Sequence, residues 1–139
     1  MVSALGLDLG AKRIGVAGCD RTGLIATGLT TIHRTSFESV IAPLRQLIAE
    51  RNVEILIVGL PYTLDGEIGA QAKKITKQAH RLSKSLGLPI EFVDERLTSF
   101  AAEQMMIDAR QSLRDNKALI DRKAAAIILQ QWLDARRQT

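Results

Sequence analysis

The 139-residue chain is poor in the residues that define several protein classes. It holds one cysteine, Cys19, which excludes an internal disulfide and a cysteine zinc cage. It has three Phe, one Tyr and one Trp, too few for a stacking platform of the RRM or OB kind. The longest apolar runs, Ile55–Leu60 and Ala124–Leu129, fall well short of the ~18 residues a membrane span needs, so no membrane partner is expected. Met1–Leu9 is apolar but has no basic leader and carries Asp8, so it does not read as a signal peptide. No Walker A loop, G-x-G-x-x-G or H-E-x-x-H occurs, and there is no internal repeat or linker. The expectation is a cytoplasmic, enzyme-sized single domain over residues 1–139.

Charge is informative through its distribution. Nineteen Lys and Arg against fifteen Asp and Glu give a net of +4, too mild to diagnose a nucleic-acid partner. Yet Lys73, Lys74, Lys77, Arg81 and Lys84 fall within twelve residues that contain no acid. Such a stripe is either a solvated helix face or a track for a phosphate backbone.

The patterning alternates between strands and helices. Val2–Leu9, Arg13–Cys19 and Leu24–Ile32 read as three strands joined by tight turns, an antiparallel meander. Thr35 with Glu38 has capping-box spacing for a helix that runs to about Arg51, and Pro43 should kink that helix or mark its start. Val53–Val58 reads as a strand covered on both faces. Ile68 to Leu86 follows as a helix with Ala72, Ile75, Ala79 and Leu82 on one face and the basic stripe nearly opposite. Ile90–Val93 is a fifth strand. A helix capped by Thr98 or Ser99 runs to about Arg110, and Ala118–Arg136 is the last. A meander followed by β-α-β crossovers implies an α/β fold, a mixed five-stranded sheet with helices on both faces.

Three acidic positions stand out. Asp8 lies inside a buried strand, where a charge is costly unless paired or bound to a metal. Gly6 and Gly10 share its face and leave room there for an ion or a phosphate. The alternative is a hairpin salt bridge from Asp8 to Lys12 or Arg13. Asp94-Glu95-Arg96 closes the fifth strand, at the carboxyl end where open α/β sheets form their sites. Asp121 shares a helical stripe with Ala125, Ile128 and Trp132, an unusual place for a carboxylate unless the helix dipole alone explains it. Three carboxylates at ~5 Å would repel by about 3 kcal/mol per pair at an effective dielectric of 20. Removing one charge should then stabilise the metal-free fold by ~1–3 kcal/mol. Divalent cations resolve such crowding, and oxygen-only ligands favour Mg2+ or Mn2+ over zinc. Such a site suits attack of water on a phosphodiester.

Four blocks in order resemble the YqgF (RuvX) family: Leu7–Ala17, Val58-Gly59-Leu60-Pro61 with Asp65-Gly66, Phe92–Thr98, and Ile120-Asp121 with Ala124-Ala125. The resemblance implies an RNase H-like nuclease of structured nucleic acid, acting on precursor 16S ribosomal RNA or on Holliday junctions. It puts the catalytic, metal-holding carboxylates on Asp8, Glu95 and Asp121. Lys12, Arg13, Arg96 and Lys117 are then the phosphate contacts near the site, with Lys73, Lys77, Arg81 and Lys84 further along the backbone. It also implies a partner that is an RNA precursor or branched DNA, in association with the ribosome; the sequence leaves the oligomeric state, monomer or homodimer, open. A non-catalytic nucleic-acid-binding module on the same fold is the rival reading. Resolvases carry another acidic residue or a histidine one turn after the final aspartate; Ala124 and Ala125 stand there instead.

Overall fold

The computed structural model describes residues 2–60, 69–94 and 117–137. The helix expected between Thr98 and Arg110, and with it Glu95 and Arg96, lies outside these residues. The described chain forms β1 (Ala4–Leu9), β2 (Arg13–Cys19), β3 (Ala26–His33), α1 (Phe37–Arg51), β4 (Ile55–Leu60), α2 (Ala70–Leu86), β5 (Ile90–Asp94) and α3 (Lys117–Arg137). The strands make one five-stranded sheet in the order β3-β2-β1-β4-β5. β1 pairs antiparallel with β2, and β2 with β3; β4 lies parallel to β1, and β5 to β4. The mixed sheet expected from the pattern is therefore present.

Period-two alternation divides the residues between two faces. Leu5, Leu7 and Leu9 of β1, with Leu56, Val58 and Leu60 of β4, build a large core with Val40, Ile41 and Leu44 of α1 and Ala72, Ile75, Ala79 and Leu82 of α2. Ala4, Ala17 and Ile57 face the other way, against Ala125, Ile128, Leu129 and Leu133 of α3. No helix among the described residues is long and apolar enough to cross a membrane.

Several boundaries differ from the sequence pattern, each for a local reason. β3 begins at Ala26 because the Asp20 carboxylate accepts the backbone N–H groups of Leu24 and Ile25 and keeps them in the turn. Those two side chains are left 45% and 60% exposed. The first helix is capped by Ser36 and Ser39, not by Thr35 and Glu38. The Arg34 N–H still bonds to the Lys12 carbonyl, which holds the chain extended and delays the turn into the helix. Pro43 does not mark the start; α1 runs through it, tethered by the buried Val40, Ile41 and Leu44. β4 starts at Ile55, two residues late, because Asn52 closes α1 in the left-handed region (φ 53°, ψ 47°) and the Val53 N–H returns to the Ile48 carbonyl.

Candidate active site

The carboxyl ends of β1, β4 and β5 lie at one edge of the sheet, because these strands are parallel. The turn Gly10–Lys12 crosses that edge. α1, α2 and α3 each begin there, since each helix returns to the opposite edge or follows a strand that ends at it. This is the edge where open α/β sheets place their ligands.

Asp8 stands at this edge, partly buried, one residue from the end of β1. Its partner across the antiparallel ladder is Gly15. A Cβ on Gly15 would run into the Asp121 carbonyl oxygen, so the first turns of α3 sit directly on β2 at this point. The α3 backbone at Asp121 is thereby brought over the strand neighbour of Asp8, on the face where Asp8 points. Two of the three expected carboxylates thus share one corner of the molecule.

The Asp121 carboxylate is not bare. Arg13 Nε donates to its Oδ2 at 2.6 Å, with the two side chains 27% and 20% exposed. Arg13 points to the α3 face because it alternates with Ile14 and Val16, which enter the other core. Its charge meets that of Asp121, so removing Asp121 from the metal-free protein would also remove an ion pair. The anchor of α3 continues on β3, where the Thr31 hydroxyl donates to the Ala118 carbonyl at 2.5 Å and accepts from Arg122 Nε at 3.3 Å.

The glycines of the first strand serve packing. A Cβ on Gly6 would meet the Ala125 carbonyl and the Leu129 Cβ, each at 2.7 Å. One on Gly10 would lie 2.5 Å from the Arg13 carbonyl across its own turn. The room expected there for an ion or phosphate is taken by α3 and by the hairpin itself. Glycine inside a strand signals close backbone approach, and Gly15 carried that signal unread.

Asp94 ends β5 opposite Leu60, a residue of the α1/α2 core, whereas Val93 packs on the α3 side. Asp94 therefore belongs to the face away from Asp8. Among the described residues no three Asp, Glu, His or Cys side chains gather closely enough to form a metal cage. The oxygen-donor chemistry of Asp8 and Asp121 fits a hard divalent cation, with Glu95 following directly on β5 in the chain.

The candidate phosphate contacts separate into two groups. Lys12 at the turn and Lys117 at the start of α3 are exposed at the edge that carries Asp8. Lys73, Lys77, Arg81 and Lys84 are exposed along α2, which packs on the opposite face of the sheet from α3. The structure does not merge this stripe with the Asp8–Asp121 corner. Arg81 is distinct within it, because its guanidinium lies 3.8 Å from the centre of the Phe37 ring. Cys19 is a buried core residue whose Sγ lies 3.5 Å from the Val2 carbonyl oxygen. His80 is exposed and touches Phe92 edge to face.

Comparison with known proteins places the chain in a family. A family model described as "RuvX: Holliday junction resolvase" matches residues 2–135. A protein of Trichormus variabilis is 62% identical over 136 residues, covering 98% of this chain and 90% of that protein. One of Thermosynechococcus vestitus is 60% identical over 139 residues, covering 100% and 92%. Both bear the name "Putative pre-16S rRNA nuclease". Among solved structures, RuvC of T. thermophilus in complex with a Holliday junction substrate aligns with a TM-score of 0.58 at 15% identity, over 98% of this chain and 96% of that one. The fowlpox virus Holliday junction resolvase aligns at 0.57 and 14% identity, over 97% and 99%. At these identities the likeness concerns the fold, which is RuvC-like and RNase H-like.

Proposed function

The chain belongs to the RuvX family, and from that premise we propose that it is a metal-dependent nuclease that hydrolyses phosphodiester bonds in precursor 16S ribosomal RNA, at its 5′ end. The observation that carries this reading is about 60% identity along the whole chain with proteins bearing that activity in their name. The corner geometry supports it. Asp8, Asp121 and Glu95 would hold Mg2+ or Mn2+, which when bound supplies an activated water and a counter-charge for the phosphoryl oxygens. Arg13 holds the Asp121 carboxylate in place through its Nε. Lys12 and Lys117, exposed at the same edge, meet flanking phosphates, and Arg96 joins them from the segment after β5. The whole chain acts as a single RNase H-like domain in the cytoplasm, on RNA associated with the assembling ribosome.

A second reading, cleavage of Holliday junctions, is favoured by the family description and by the RuvC-like fold. One assay separates the two. Purified protein with Mg2+ or Mn2+ is given precursor 16S RNA and a four-way DNA junction in parallel. Cleavage of the RNA alone is expected. Cleavage of the junction alone would transfer the activity to DNA, and cleavage of neither in either metal would leave a binding module.

A further inference from the structure

On the far side of the Gly10–Lys12 turn from Asp8 lies a pocket of about 300 Å³, at the small end of the ~300–1,000 Å³ typical of ligand sites. Its floor is apolar, made by Leu9, Val40 and Leu82. Its rim is cationic and amidic. Arg34 crosses it, with Nη1 donating to the Gly10 carbonyl at 2.6 Å and to Gln78 Oε1 at 3.2 Å. The central guanidinium carbon of Arg81 lies over the Phe37 ring, 3.8 Å from its centre, and Arg81 makes no ion pair among the described residues. An apolar floor under two guanidinium groups does not suit a bare anion or an aliphatic ligand. It suits a flat, partly polar ring attached to a phosphate.

We infer that this pocket seats one unpaired nucleotide of the nucleic-acid substrate, its base stacked on the Arg81 guanidinium and its phosphate held by Arg34 and Arg81. Bases stack on aromatic rings and on arginine planes when they are free of a duplex. Phe37 lies against the Arg81 guanidinium, and the exposed guanidinium has a side left for a second ring. Gln78 offers an amide to the base edge. Ala11 lines the pocket and is three residues from Asp8, at most about 11 Å along the chain at 3.8 Å per residue. A strand cut at the Asp8 corner can therefore cross the turn and place a neighbouring nucleotide in the pocket. This rests on the nucleic-acid reading above and adds a substrate class to it: the cleaved bond lies beside single-stranded nucleotides.

Binding measured in EDTA, where no cleavage intervenes, tests the inference. A short fluorescent single-stranded RNA and a blunt duplex of the same sequence are titrated with the full chain. Arg81→Lys keeps the charge and removes the plane, so it should weaken single-strand binding by about tenfold and duplex binding by less than about twofold. Phe37→Leu, which keeps the apolar floor, should show the same selectivity. A fluorescent purine analogue in the strand should be quenched by the wild type and not by Arg81→Lys. Equal loss on strand and duplex, or no loss on either, would overturn the stacked nucleotide. So would a free nucleoside monophosphate that binds as tightly as the strand, since the pocket would then serve a free nucleotide. Failure to bind any nucleic acid would overturn both this and the proposed function. Selective binding without cleavage in Mg2+ would remove only the nuclease.

Discussion

The two faces of the sheet are built from different materials. The α1/α2 face is lined by Leu5, Leu7, Leu9, Leu56, Val58 and Leu60, and two helices rest on that aliphatic layer. The α3 face carries Gly6, Gly15, Ala17 and Gly28, and the helix backbone itself comes down onto the strands. A layer of large side chains stabilises by removing apolar area from water and tolerates exchange of one hydrophobe for another. A face of missing side chains stabilises less per residue but fixes the height and register of the helix above it. The polar groups gather where the helix is fixed: Asp8, Arg13, Thr31, Asp121 and Arg122 all belong to the α3 side. Both faces hold the fold, and the candidate carboxylates Asp8 and Asp121 lie on the face where the helix backbone is fixed.

The largest effect should come from the positioned face. Asp8→Asn is expected to lower cleavage by on the order of 10³-fold or more, with an unchanged fold by circular dichroism. Asp121→Asn and Glu95→Gln should do the same, and the double variants should be no worse, because one missing ligand already disables the unit. Millimolar Mg2+ or Mn2+ should raise the melting temperature of the wild type and not that of Asp8→Asn. Full activity in any of these variants would detach that residue from the site.

Packing changes should separate the faces more finely. Leu56→Ala, fully buried on the aliphatic side, should cost about 2–5 kcal/mol in urea melts and leave the activity of the folded fraction intact. Gly15→Ala should cost at least as much, because its methyl would meet the α3 backbone at Asp121 and not a side chain that can move aside, and the folded fraction should also lose activity. If Gly15→Ala retained full activity, the close approach of α3 would be a packing matter alone.

A smaller effect is expected from the ion pair. Asp121→Asn should destabilise the metal-free protein by about 1 kcal/mol, in keeping with a partly exposed pair. Stabilisation by the same change would mean that crowding among the carboxylates outweighs Arg13. The smallest effect lies at the far edge, away from both helical cores. Hydrogen bonds from Thr22 and from the backbone of Ile25 and Leu24 hold the Asp20 carboxyl below its ordinary value of 3.8. A lowered folded pKa contributes stability that is complete above the unfolded value and fades as pH falls through the folded one. The stability difference between wild type and Asp20→Asn should therefore shrink below about pH 4. A difference that stays constant into acid would remove the charge from that turn.

Much of the architecture was legible because it follows from local pattern. Hydrophobic alternation in β1 and the 3.6-residue stripe of α2 are repeated signals, and the buried sets Leu5, Leu7, Leu9 and Ala72, Ile75, Ala79, Leu82 match them. Boundaries were less legible because single hydrogen bonds move them. The Asp20 carboxylate shortens β3, and Asn52 in the left-handed region delays β4. Neither event has a signature beyond residues that favour turns.

The choice of candidate site residues is a matter of sequence: a carboxylate inside a strand and another on an apolar helical stripe violate the burial rule, and such violations are where function is sought. Their arrangement is not. Arg13 could have met Asp8 five residues away, and it meets Asp121, 108 residues away. Gly6 and Gly10 could have left space for a ligand, and α3 and the hairpin fill it. The basic stripe could have faced the carboxylates, and the crossover that carries α2 puts it across the sheet. Periodicity is set by neighbours a few residues apart, so the chain's own order encodes it. Which side chains meet across the sheet depends on where α3 settles, and only the sum of its packing against β1, β2 and β3 decides that.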